Sequence, residues 1–373
     1  MNADNFGSHA KTVNIQKPIL LRVPTIYQAA LPVLATHLYL LLGALKNGIH
    51  IVGGPGSGKS RLMGRLLAWQ AFLRGMPVVI LDPTGGIVAN VIDKIARLPQ
   101  VLRKQLWPRI LYVDAGATDH VVPTPLYYRN GTSDTLFAAA NRFPAVLKRQ
   151  DPQLQAAPIL GCNSLHECAI YSGQIALALG EQVDFVADLI NHPRQYKDEL
   201  RQVLADFPEL EPAVSYFREL MDPGSNGLRE RRTGSFANKL LPFLTDPTML
   251  ATFAASQRAV DWDAVARKGQ MVIIDFQNER DPERRQFKLL WWYRDFSAYV
   301  KTRGMAGRGR EIMFLIDEIT QLVGQRTGEG NSILAEDLEE TKVDPFVKTQ
   351  NGSKIKSNPP FLGEIAIDTR RCS

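Results

Sequence analysis

Gly53-Gly54-Pro55-Gly56-Ser57-Gly58-Lys59-Ser60 has the form G-x-x-x-x-G-K-S, the complete P-loop pattern. The apolar run Ile49-His50-Ile51-Val52 precedes it, and Leu62-Met63-Gly64-Arg65-Leu66-Leu67-Ala68-Trp69 follows at helical spacing. Strand, glycine loop and helix stand in the order that nucleotide phosphates require. The glycines let backbone N–H groups turn inward around a phosphate chain. The helix N-terminus adds partial positive charge. Lys59 is placed to reach the β- and γ-phosphates, and the Ser60 hydroxyl to ligate Mg²⁺. Residues 53–60, with Arg61 directly after them, form the expected nucleotide-binding stretch.

A P-loop alone states only that nucleoside triphosphate phosphates bind. The run Glu311-Ile312-Met313-Phe314-Leu315-Ile316-Asp317-Glu318 adds chemistry, because it is an apolar strand ending in Asp-Glu, the Walker B pattern. A buried strand there sets Asp317 beside the P-loop, where a carboxylate holds Mg²⁺ directly or through water. Glu318 is then positioned to orient or deprotonate the attacking water. Asp82 and Asp114 also end apolar runs, at the carboxyl edge where open α/β sheets bind ligands. Aspartate is equally common in strand-to-loop turns, and the sequence does not separate these two readings.

The chain has 373 residues, 45% hydrophobic and 22% charged, and a net charge of +6. That is enough chain for a large core and two or three domains. The positive balance gives only weak support to an anionic partner such as nucleic acid. Three cysteines supply no disulfide framework and suit a reducing cytoplasm. On a helix Cys162 and His166 share a face while Cys168 does not, so this group reads as buried core rather than as a metal site. Residues 29–45 are apolar but short for a membrane span and carry Pro32, Thr36 and His37. They read as a helix or strand packed against the nucleotide domain.

Further strands are expected at Pro77-Val78-Val79-Ile80-Leu81-Asp82, Arg109-Ile110-Leu111-Tyr112-Val113-Asp114 and Met271-Val272-Ile273-Ile274-Asp275-Phe276. Helical patterns separate them, and such alternation predicts a mostly parallel sheet covered on both faces. From residue 131 to 254 strand-like runs vanish and helical patterns broken by Pro193, Pro208, Pro212 and Pro223 take over. The expected layout is an N-terminal segment (1–45), a split ATPase domain (46–130 and 255–340), an inserted helical domain (131–254) and an irregular tail (341–373). Residues 222–233 read as a basic, glycine-rich loop, in which Arg229, Arg231 and Arg232 meet DNA phosphates, meet a neighbour's nucleotide, or are solvated.

These segments together resemble the HerA–FtsK group of DNA-pumping ATPases, and within it the coupling proteins of conjugation and type IV secretion. The residues that carry the resemblance are HIVGGPGSGKSRLM (50–63), VVILDPTGG (78–86), RILYVDAGATDHVVPTPL (109–126) with its Pro125-Leu126 pair, RRTGSFANKLLPFLTDPTMLATF (231–253), GQMVIIDF (269–276) and IMFLIDEITQL (312–322). The resemblance implies a RecA-like α/β P-loop NTPase with an inserted all-helical domain. It also implies ATP and Mg²⁺ as ligands, hydrolysis driving DNA translocation, and a homo-hexamer with DNA in its pore and an arginine supplied in trans. DNA, single-stranded or carried by a relaxase, and a secretion machine at the inner face of the membrane are the partners it implies. In that family a helix and then a strand with a polar γ-phosphate sensor, often Gln, follow Walker B. Here the helix is expected at residues 333–340, and no buried sensor strand is legible between Thr341 and Ser373. The tail therefore reads as truncated or disrupted. Two functions remain open, a DNA-translocating ATPase and a hydrolysis-deficient nucleotide-binding fragment or interaction protein. A GTPase is disfavoured, because the one N/T-K-x-D match, Thr341-Lys342-Val343-Asp344, falls in the irregular tail and ends no apolar run.

Overall fold

The computed structural model describes residues 19–21, 38–40, 49–52, 56–131, 134–150, 164–222, 224, 226–305, 311–318 and 345–349. Its strands are β1 (Ile19–Leu21), β2 (Leu38–Leu40), β3 (Ile49–Val52), β4 (Val78–Asp82), β5 (Ile110–Asp114), β6 (Met271–Asp275), β7 (Met313–Ile316) and β8 (Pro345–Thr349). β1 and β2 form an antiparallel pair. The other six make one sheet in the order β3-β8-β7-β4-β6-β5, with every pairing parallel.

The central strands are continuous apolar runs because both sheet faces are covered. Side chains alternate across a strand. Val78 and Ile80 therefore join Met271, Ile273, Met313 and Leu315 in one core, under the helices that follow the P-loop and β4. Val79 and Leu81 join Val272, Ile274, Phe314 and Ile316 in the other, larger core. Among the described residues only helices lie between β5 and β6, including Arg142–Gln150, Ser164–Leu179, Lys197–Asp206, Glu211–Leu220 and Asn226–Thr245. They are tied to the sheet through the long helix Pro282–Met305. Phe143, Phe243, Phe253 and Phe287 meet edge to face, with centroids 4.9 to 6.1 Å apart, and Phe296 of the same long helix lies 4.7 Å from Phe314 of β7. Such pairs add about 0.5–1.5 kcal/mol each beyond area burial.

Two expectations change. The irregular tail contains a strand. β8 is inserted between β3 and β7, with Val52 level with Thr349 and Ile316 level with Val347. Pro345 opens it, at the one strand position where a missing N–H is tolerated, and Lys348 breaks the apolar run that marks buried parallel strands. The rest of the tail, and the helix expected at 333–340, lie outside the described residues. The basic loop expected at 222–233 is helical from Asn226, because Leu-Arg-Glu-Arg-Arg are good helix formers once the Pro and Gly are passed. Of residues 29–45, only 38–40 are described, as strand β2. Among the described residues no helix is long and apolar enough to cross a membrane. Cys168 sits in the core of helix Ser164–Leu179, and burial pushes its thiol up to about 12; Cys162 lies outside the described residues.

Candidate nucleotide-binding site

Gly53, Gly54 and Pro55 lie outside the described residues, and the site is built from Gly56 onward. Gly56 and Gly58 have φ of 76° and 87°. A Cβ at either would meet nothing within 4 Å, so the demand for glycine there is conformational, not steric. Gly58 is the left-handed N-cap of the helix that opens at Lys59. The helix then widens into a π-helical stretch, Leu62–Ala68. Gly64 in that stretch brings it against helix Gly86–Ala96, where an added Cβ would stand 2.9 Å from the Ile87 carbonyl oxygen. Arg65 locks the same contact by donating to Asn90 Oδ1 at 3.0 Å and pairing with Asp93.

Lys59 is buried at the first helical position, with Nζ 3.5 Å from Ser57 Oγ. Ser60 Oγ donates to Asp317 Oδ2 at 3.5 Å, across 257 positions of sequence. β7 and β4 run side by side, so Asp317 and Asp82 emerge as neighbours at the carboxyl edge of the sheet. Both are fully buried. Arg61, one residue past Ser60, is exposed.

Asp82 has a different task from Asp317. Its Oδ2 accepts from the backbone N–H groups of Ile87 and Val88 at 2.7 and 2.8 Å, capping the helix that follows. Burial pushes its carboxyl above the ordinary value; the Val88 N–H opposes this and the nearby Asp317 adds to it. Asp114 is not brought to the site. It ends β5 at the sheet edge, beyond β6 and β4, where it accepts from Gly116 N at 2.9 Å and Asn278 Nδ2 at 2.6 Å. Three strand spacings of about 4.8 Å separate β5 from β7.

The structure adds Thr84 and Gly86, which sequence reasoning did not single out. Thr84 Oγ1 stands 3.3 Å from both Asp82 Oδ1 and Asp317 Oδ2. Gly86 faces Ser60, and a Cβ on it would lie 2.9 Å from Ser60 Oγ. The only signal is the Asp-Pro-Thr-Gly-Gly that closes β4, inside the 78–86 segment that carries the resemblance. Gly86→Ala is expected to displace the Ser60 hydroxyl and weaken Mg²⁺-nucleotide binding about tenfold, roughly 1.4 kcal/mol. Titration with a fluorescent ADP analogue, with and without Mg²⁺, checks this; the magnesium-free affinity should change little.

Glu318 is the only non-glycine residue with positive φ among those described, at 54°. It is also buried. A left-handed glutamate costs about 1–3 kcal/mol and persists only where its surroundings enforce it, a pattern concentrated at functional sites.

A P-loop strand, a buried Asp-Glu strand end, and all-parallel strands with helices on both faces now stand together. The fold is that of a RecA-like P-loop NTPase. No protein-family model and no curated protein matches the sequence. Among solved structures, the chain is similar to the bacterial conjugative coupling protein TrwB in its unbound form (15% identity, TM-score 0.47, 83% of this chain and 63% of that one). It is similar to TrwB in complex with ADP and Mg²⁺ (16% identity, TM-score 0.48, 83% and 65%). It is also similar to VirB4 of Thermoanaerobacter pseudethanolicus (11% identity, TM-score 0.49, 84% and 74%). The chain thus spans less than two thirds of the TrwB structures it matches.

Proposed function

We propose that this chain is the ATP-hydrolysing motor of a DNA translocase of the conjugation or type IV secretion kind. One observation carries the ATPase reading. The Asp317 carboxylate, at the end of a buried strand, stands within hydrogen-bond reach of the P-loop Ser60 hydroxyl, and the strained, buried Glu318 is its neighbour. Ser60, Thr84 and Asp317 offer only oxygen donors, which fits a hard divalent cation. Bound there, Mg²⁺ would neutralise charge on the β- and γ-phosphates. The backbone of residues 56–60 and the Lys59 ammonium bind and orient the triphosphate. Glu318 orients the attacking water and takes its proton as the bond to the γ-phosphorus forms.

The alternative, a fragment that binds nucleotide without hydrolysing it, rested on a missing sensor strand. β8 occupies the sheet position between the P-loop strand and the Asp-Glu strand, and its last residue, Thr349, is level with Val52. We take the end of β8 as the sensor position. Gln350, next in sequence, lies outside the described residues.

The DNA part of the proposal rests on the sequence resemblance, and on the net charge of +6. Steady-state ATP hydrolysis by the purified chain, with and without single-stranded DNA, tests it. Stimulation of about tenfold that collapses as salt rises is the expected result. A basal rate indifferent to DNA at every salt concentration would remove the translocase and leave the ATPase.

A further inference from the structure

Large apolar side chains in water are ordinary singly and informative as a group. Among the described residues eight are exposed, and five of them, Ile92, Val101, Leu102, Trp107 and Tyr112, fall between positions 92 and 112. Val101 and Trp107 are 68% and 61% exposed. The five lie on helix Gly86–Ala96, helix Gln100–Leu106, the turn Trp107–Arg109 and the edge strand β5. Leu98, Leu106 and Ile110 fasten this stretch to the smaller core. Between those anchors no residue of helix Gln100–Leu106 is buried. Tyr112 lies two positions past Ile110 and so projects from the same sheet face, its hydroxyl donating to Asp275 Oδ2 at 3.0 Å. Arg109 brings in two further segments. Its guanidinium donates to the Phe72 and Gly269 carbonyls at 3.3 and 2.8 Å and lies 4.6 Å from the centre of the Phe72 ring. Leu73 and Arg74, next to Phe72, and Arg267 and Lys268, before Gly269, are all exposed.

Charge follows the same outline. From Lys94 to Val113 the chain carries Lys94, Arg97, Arg103, Lys104 and Arg109 and no carboxylate. The carboxylates on the surrounding elements are engaged or lie elsewhere. Asp93 is paired with Arg65, and with Arg97 at 2.8 Å. Asp114 stands at the other end of β5, accepting from Gly116 N and Asn278 Nδ2. Asp275 is buried. Asp261 caps helix Trp262–Lys268, and Asp263 accepts from the Tyr299 hydroxyl at 3.0 Å. Glu311 precedes β7, three strand spacings of about 4.8 Å from β5. None of them pairs with Arg103 or Lys104 among the described residues.

We infer that helix Gln100–Leu106 and the turn Trp107–Arg109 dock this chain on an anionic lipid surface. The Trp107 indole joins an apolar ring to an N–H donor, a combination that settles between headgroups and acyl chains. Val101 and Leu102 supply the apolar part of the contact. Arg103 and Lys104 keep their charges among the headgroup phosphates while their stems lie along the apolar layer. A protein partner matches less well, because the buried centre of a protein interface is depleted in lysine. Here Lys104 falls between the exposed Leu102 and Trp107. A nucleic acid would leave Val101 and Leu102 in water. The turn opens β5 at the amino edge of the sheet, whereas the nucleotide site lies at the carboxyl edge, so docking leaves that site open. Docking is also independent of ATP hydrolysis.

The test is flotation of the full chain with vesicles of phosphatidylcholine containing about one third phosphatidylglycerol, beside phosphatidylcholine alone. Binding to the first and not to the second is expected. Arg103→Gln with Lys104→Gln should lower the affinity about 30-fold, near fivefold for each lost cation. Val101→Ser with Leu102→Ser should lower it about tenfold or more at unchanged charge. Lys197→Gln with Arg218→Gln, on the remote helices Lys197–Asp206 and Glu211–Leu220, lowers net charge equally and should bind as the wild type does. Trp107 also reports position, since Trp69, Trp262, Trp291 and Trp292 are buried. Brominated acyl chains should quench Trp107 alone, and Trp107→Phe should keep binding but lose the quenching. Thermal midpoints equal to wild type certify the fold of each variant. Docking here is ruled out if the wild type ignores anionic vesicles or binds both kinds equally. It is ruled out if the patch variants bind as the wild type does, if the remote variant loses as much, or if quenching survives Trp107→Phe. Self-association that Val101→Ser with Leu102→Ser dissolves without lipid would overturn it by giving the patch to a second copy. Loss of oligothymidylate binding but not of vesicle binding in the Arg103–Lys104 variant would overturn it in favour of nucleic acid.

Discussion

Glu318→Gln is expected to lower steady-state ATP turnover by about 10²- to 10⁴-fold while leaving nucleotide affinity within about twofold of wild type. Glutamine preserves the shape of the side chain and its hydrogen-bonding reach but not its basicity. Water can still be held, yet its proton has no acceptor as the new bond to phosphorus forms. The positive φ at this position gives the prediction a structural edge. Backbone strain of this kind costs stability, and residues that carry it cluster at functional sites. Because the glutamine variant keeps the same backbone, its denaturant midpoint should match wild type. Single-turnover hydrolysis, read beside binding of a fluorescent ATP analogue, separates the two quantities. Lost binding would instead mean that Glu318 is a structural support of the loop.

Lys59→Ala acts on the other side of the reaction. Lys59 is buried at the first turn of the P-loop helix, close to Ser57. A buried cation opposite a polyphosphate is worth about 2–5 kcal/mol when truncated. ATP affinity should therefore fall by about 30-fold to more than a thousandfold, and turnover at ordinary ATP concentration should vanish. Equilibrium titration over a wide ATP range is the measurement, with circular dichroism to certify the fold. A variant that binds ATP normally would remove Lys59 from the phosphate site.

What the sequence discloses about this fold follows from which residues carry periodic information. The strands β4, β6 and β7 are buried on both faces and therefore spell uninterrupted apolar runs. The P-loop is legible for a different reason: its glycines answer to backbone conformation, and only a few residue types satisfy it. β8 was hidden because five residues with a leading Pro345 and an internal Lys348 resemble a loop, and its strand character depends on neighbours more than thirty residues away in sequence. The sequence could not rank Asp82 against Asp114, since both end strands. Sheet order decides it, because β4 adjoins β7 whereas β5 lies at the far edge. Thr84 and Gly86 escaped notice because their importance is a matter of proximity to Ser60 and Asp317, which no local pattern encodes.

We propose that Ser60 and Asp317 are two halves of one Mg²⁺-dependent ATP-hydrolysing site. Magnesium titration of ATP turnover by the purified full chain, wild type beside Asp317→Asn, is the decisive measurement. Saturable, magnesium-dependent hydrolysis is expected of the wild type. The variant should show a magnesium requirement raised at least tenfold together with strongly reduced turnover. Equal magnesium dependence and equal turnover in the two proteins would remove Asp317 from the site.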